Sequence, residues 1–96
     1  MKTHFSVQFL ENSTETLRAI AHPIRIAIVD LLFTNEQLTV TEIYQKLNIE
    51  QAIASHHLRI LKNRNIVTVQ REGKNSLYSL TNPEFFEIIK TLTKVI

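Results

Sequence analysis

Apolar side chains return along this chain at two different periods. Phe5, Phe9, Leu10, Leu17 and Ile20 predict a first helix that ends before His22-Pro23, because the residue before a proline resists the α conformation. Pro23 suits the first turn of a second helix, which carries Ile24, Ile28, Leu31 and Leu32 at i, i+4, i+7 and i+8. Thr34-Asn35-Glu36-Gln37 reads as a loop. Thr39 with Glu42 fits a capping box, so a short third helix runs from Val40 to about Leu47, with Ile43 and Leu47 inward. Leu47-Asn48-Ile49 makes a turn. A fourth helix follows from about Gln51 to Lys62, and Asn63-Arg64-Asn65 ends it.

The period then shortens. Ile66, Val67 and Val69 are β-branched, and Leu77, Tyr78 and Leu80 follow after Glu72-Gly73-Lys74-Asn75. Two β-prone runs about a glycine-bearing turn predict a hairpin. Thr81 or Asn82 caps a last helix, with Pro83 at its first position, running to about Val95. The predicted fold is mainly α with a small β-hairpin, in the order α-α-α-α-β-β-α. Helices three and four form a helix-turn-helix, and the hairpin after them makes it a winged one. No repeat or low-complexity run divides residues 1–96, so a single domain is expected.

The fourth helix presents two faces. At 100° per residue, Leu58 and Leu61 fall within about 40° of Ala54, so these three face the core. Ala52, Ser55, His56 and Arg59 lie roughly opposite. Slim polar and basic groups near a helix N-terminus suit close approach to the major groove and donation to base edges. Gln51 can form two hydrogen bonds with adenine, and Arg59 and Lys62 lie further along, within reach of phosphates. Arg71 and Lys74 flank Gly73 at the hairpin tip, placed for phosphates or a minor groove.

Charge sharpens that picture. The net charge of +2 conceals a first half, residues 1–50, with four basic and six acidic side chains. Residues 51–75 hold Arg59, Lys62, Arg64, Arg71 and Lys74 against Glu72 alone, a balance of +4. A basic segment coinciding with the reading helix and wing is the footprint of a phosphate-binding surface. Hydrophobic residues make up 44% and charged residues 21%, a balance that supports a folded core. A monomer this small buries only roughly 60–65% of its unfolded surface. It would be marginal alone, which favours a dimer. Phe85, Ile88, Ile89, Leu92, Val95 and Ile96 form a broad apolar stripe on the last helix, with Phe86 off it. That is more apolar surface than one small core absorbs, so part of it is expected on a second subunit.

Three stretches carry a family resemblance. Leu17-Arg18-Ala19-Ile20-Ala21-His22-Pro23-Ile24-Arg25 resembles the L-x-A-L-A-H-P-x-R entry segment of the ArsR family of bacterial repressors. Ser55-His56-His57-Leu58-Arg59-Ile60-Leu61 is similar to its S-x-H-L-x-x-L recognition helix. Arg71-Glu72-Gly73-Lys74-Asn75-Ser76-Leu77-Tyr78-Ser79-Leu80 resembles its R-x-G-x-x-x-x-Y-x-L wing. The match spans about Leu17 to Leu80. It implies a homodimer joined through the first and last helices, residues 5–21 and 83–95, and repression of a nearby operon relieved by an inducer. By position, Gln51, Ala52, Ser55 and His56 match the family's base-contacting residues, leaving Arg59, Lys62, Arg71 and Lys74 for the DNA backbone. Phe5, Phe9, Phe85, Ile89, Leu92 and Ile96 are the residues expected at the dimer interface. The chain departs from the pattern at Glu50, where the family often has serine, and at Ala52 and Ile53, where it often has polar residues.

Metal and catalytic chemistry find little support. There is no cysteine, which excludes disulfides, thiolate metal sites and dithiol switches. Metal-sensing members of the family carry C-x-C on the third helix, where this chain has Thr39-Val40-Thr41. Others use Asp and His on the last helix, which here has neither. His22 reads as structural at a helix entry, and His57 as a core-edge residue with a hydrogen-bond partner. His56 and His57 are about 100° apart on one helix and do not converge on an ion. A metal site assembled across a dimer from His4 and Glu11 is the minor alternative. No nucleophile elbow, phosphate loop or H-E-x-x-H is present. No metal, cofactor or enzyme activity is expected. The start has no secretory h-region, and no apolar run approaches the ~20 residues of a membrane span, so a soluble cytoplasmic protein is expected. The competing reading is a winged-helix module that docks another protein through the last helix without binding DNA.

Overall fold

The computed structural model describes all 96 residues. Its elements are α1 (Val7–Ile20), α2 (Pro23–Asn35), β1 (Leu38–Thr39), α3 (Val40–Leu47), α4 (Gln51–Asn63), β2 (Val67–Glu72), β3 (Asn75–Leu80) and α5 (Glu84–Leu92). The five helices and the hairpin stand where the periodicity places them. No helix is long and apolar enough to cross a membrane.

Local chemistry explains the helix starts. Ser6 caps α1 by accepting from the Phe9 N–H at 3.1 Å, so Phe5 lies before the helix rather than within it. His22 caps α2 through Nδ1, which accepts from the Ile24 N–H at 3.1 Å, with Pro23 at the first helical position. The Thr39–Glu42 capping box at α3 is complete: Thr39 Oγ1 accepts from the Glu42 N–H at 3.1 Å, and Glu42 Oε1 accepts from the Thr39 N–H at 2.9 Å. Those hydrogen bonds hold the Glu42 carboxyl below the usual carboxylate range. At α5, Asn82 Oδ1 accepts from the Glu84 N–H at 2.9 Å.

The sequence pattern missed one element. Leu38–Thr39 pairs antiparallel with β3, Leu38 opposite Tyr78 and Thr39 opposite Leu77, giving a three-stranded sheet in the order β1-β3-β2. The predicted hairpin is therefore two-thirds of a sheet. The predicted loop from Thr34 also shrinks, because α2 continues through Asn35 and turns at Glu36, where φ is 57°. The last helix starts at Glu84, with Pro83 at its N-cap rather than its first position, and stops at Leu92 rather than near Val95.

The core draws on every layer. Ile28, Val29 and Leu32 of α2 meet Leu38, Ile43 of α3, Leu58 and Leu61 of α4, and Ile66 and Val67 entering β2. From α1 only Ala19 and Ile20 join, so the helix is docked by its last turn and its earlier turns stand off the core. Arg64, just past α4, reinforces that dock by donating to Asn12 O at 3.0 Å and Thr16 Oγ1 at 3.4 Å. From α5, Phe85, Phe86 and Ile89 pack on the core. Phe86, expected off the apolar stripe, stacks on Phe33 with ring centroids 4.1 Å apart.

Candidate nucleic-acid interface

The turn between α3 and α4 is closed by Asn48 in the left-handed region, φ 54°, a conformation asparagine tolerates better than most residues. Its N–H donates to Tyr44 O and Gln45 O, finishing α3. Three residues later Gln51 opens α4. Ala54, Leu58 and Leu61 are buried as the wheel requires, which fixes the rotation of α4. Gln51, Ala52, Ser55, His56, Arg59 and Lys62 all remain exposed. So does Ile53, an apolar side chain outside the core.

Glu50 occupies the N-cap of α4 without a side-chain hydrogen bond to it. The first amides of the helix therefore have no carboxylate or hydroxyl cap, and the positive end of the helix dipole faces the open end of the motif. The wing is a tight hairpin: Arg71 pairs with Ser76 and Glu72 with Asn75 across a two-residue turn. Gly73 takes φ 63° there, which a two-residue hairpin turn with glycine leading requires. Arg71 and Lys74 are both exposed at this tip. The fifth cation of the basic segment behaves differently, since Arg64 is turned inward onto α1.

His57 differs from its sequence reading. It is 7% exposed, and its Nδ1 is buried without a hydrogen-bond partner. Its ring lies 4.3 Å from that of His22 and 5.0 Å from that of His56, centroid to centroid. Burial pushes its pKa below the ordinary value, and His22, His56 and Arg25 push the same way. No signal in the sequence marked the contact with His22, because the two residues come from different helices. No three His, Cys, Asp or Glu side chains converge as a metal would require.

Of the residues expected at a subunit interface, Phe5, Phe9, Leu92 and Ile96 are exposed. Phe85 and Ile89 are half-buried against the chain's own core. Leu17 and Ile88 are exposed as well, and with Phe9 they line an open apolar groove of about 580 Å³ between α1 and α5.

The chain matches known proteins along most of its length. Residues 22–69 match the family model described as bacterial regulatory protein, arsR family. The transcriptional repressor PagR of Bacillus anthracis is 36% identical over 86 residues, 90% of this chain and 86% of that protein. Its crystal structure superposes with a TM-score of 0.82, covering 91% of this chain and 99% of that one. The HTH-type transcriptional repressor SmtB of Mycobacterium tuberculosis is 39% identical over 82 residues, 85% of this chain but 60% of that protein. A homodimeric winged helix-turn-helix DNA-binding domain from Mycobacterium bovis, at 22% identity, shares the fold with a TM-score of 0.82, covering 97% of this chain and 88% of that one.

Proposed function

The chain belongs to the arsR family of bacterial regulatory proteins, and we infer that it is a dimeric transcriptional repressor that reads double-stranded DNA. The observation that carries this reading is the solvent face of α4, held in register by Ala54, Leu58 and Leu61 and carrying no buried side chain of its own. Gln51, Ala52, Ser55 and His56 meet base edges at the N-terminal end. Ala52 offers a methyl for thymine, and Gln51 offers a paired donor and acceptor for adenine. Arg59, Lys62, Arg71 and Lys74 bind the flanking phosphates.

Two copies joined through α1 and α5 would cover the groove lined by Phe9, Leu17 and Ile88. They would set two α4 helices about 34 Å apart on successive major grooves of an inverted repeat. The role is binding rather than catalysis, in the cytoplasm, with the inducing signal unassigned. The relatives named as repressors favour this reading over a protein-docking module without DNA binding. Fluorescence anisotropy with an inverted-repeat duplex across a salt series tests it. Specific binding that weakens steeply with salt is expected, and affinity indifferent to both salt and sequence would overturn it.

A further inference from the structure

We propose that the pocket where α1, α2 and α4 meet binds a phosphate-type oxyanion. It has a volume of about 300 Å³, and Arg18, Arg25 and Arg64 line it together with Glu15, Ile60 and Asn63. The pocket wall thus carries three guanidinium groups and one carboxylate. That carboxylate is engaged, since Glu15 pairs with Arg18 at 3.4 Å. Arg64 is held only by neutral acceptors, Asn12 O and Thr16 Oγ1. Arg25 is half-buried, and its Nε is covered by protein without a hydrogen-bond partner.

A guanidinium is always charged and presents five donors in a rigid fork. Covering such a group with its donors unmatched is unfavourable, and an oxyanion with several acceptor oxygens is its natural complement. The other buried polar atom lacking a partner is His57 Nδ1. Its imidazole is also subject to the charge of Arg25. The two buried side-chain atoms without a partner thus belong to α2 and α4, whose residues Arg25 and His57 are close enough to interact.

Two sources supply this chemistry: a phosphate of a bound DNA strand, or a free phosphate ion. The placement of the pocket favours the first. Asn63 falls about 20° from His56 and about 40° from Arg59 on the α4 wheel. Asn63 therefore borders the pocket at the C-terminal end of the face offered to DNA, with Arg64 on the side turned to α1. This source rests on the function inferred above, whereas the anion chemistry does not.

The test uses the full chain with Arg25→Gln, Arg25→Lys and Arg18→Gln. Thermal melts are recorded in sodium phosphate and in sodium chloride at equal ionic strength, and duplex binding is followed by anisotropy over a salt series. Phosphate is expected to raise the melting temperature of the wild type and of Arg25→Lys, but not of Arg25→Gln. With a DNA source, Arg25→Gln weakens all duplexes alike and makes the log–log salt slope shallower by about 1. Lost phosphate protection with unchanged duplex affinity supports the free ion instead. A wild type unprotected by phosphate, with duplex binding unaltered in Arg25→Gln and Arg18→Gln, overturns the proposal. Should Arg25→Gln fail to fold, Arg18→Gln carries the test, because its side chain is 73% exposed. If the chain binds no duplex at all, the repressor reading fails alone and the phosphate melts still decide the pocket.

Discussion

The ring of His57 lies 4.3 Å from that of His22, at 35° between planes, so the reading helix α4 packs directly on the residue that caps α2. Accepting the Ile24 N–H at Nδ1 requires that nitrogen of His22 to be unprotonated. His57 is buried with His22, His56 and Arg25 about it, and its pKa lies below the ordinary 6.5. Between that lowered value and 6.5 the unfolded chain binds the proton and the folded one resists it. Stability therefore falls as pH drops below about 6.5 and levels off once the folded form is also protonated. Urea unfolding between about pH 7 and about pH 5 should show the midpoint falling. His57→Phe keeps a ring against His22 and removes the titration, so its midpoint should vary less over that range. An equal fall in both proteins would exclude His57 as the source.

The α4 face and the wing should separate in their effects on DNA. Gln51→Ala, at a proposed base reader, should narrow the gap between the preferred duplex and a scrambled one by about 1–3 kcal/mol. Arg71→Ala, at a proposed phosphate contact, should weaken all duplexes in parallel, with the salt slope shallower by about 1. Anisotropy with both duplexes reads the difference. Parallel losses in the two variants would remove Gln51 from the base-reading set.

The apolar surface of α1 and α5 predicts an assembly. Leu92 is 45% exposed and Phe9 is 51% exposed, while Phe85 and Ile89 are engaged in their own subunit. Leu92→Glu and Ile88→Glu should therefore halve the mass seen by sedimentation while leaving the helical circular dichroism near that of the wild type. Phe85→Ala should instead lower stability, because Phe85 packs on the core. Wild-type protein that sediments as a monomer would remove the interface altogether.

The core prediction is the simplest. Leu58 and Leu61 are almost fully buried among Ile28, Ile43 and Ile66. Leu61→Ala should cost about 2–5 kcal/mol in denaturant unfolding. Thr39→Ala, at the capping box, should cost about 1 kcal/mol.

Much of this was legible in the chain because its signals are local. The Thr39–Glu42 box, His22-Pro23 and the Ala54–Leu58–Leu61 stripe each lie within a few residues, and each fixes one helix end or one rotation. What escaped depends on partners distant in sequence. β1 is only two residues long, too short to show alternation, and exists because Tyr78 and Leu77 lie beside it. Phe86 looked surplus on a helix considered alone, and Phe33 gives it a place. Arg64 added to the basic balance of its segment, yet its guanidinium is turned onto α1. Its charge was visible in the sequence; its direction was not.

The short pairing of β1 with β3 has a mechanical consequence. Thr39 is at once the last residue of β1, the partner of Leu77 in the hairpin, and the cap of α3. A single residue thus bolts the middle of the wing to the start of the helix-turn-helix. Rotating the wing outward would require breaking a strand pair and opening a helix end together. The span between the tip at Gly73 and the reading helix then behaves as a fixed caliper, and a DNA site must fit its jaws.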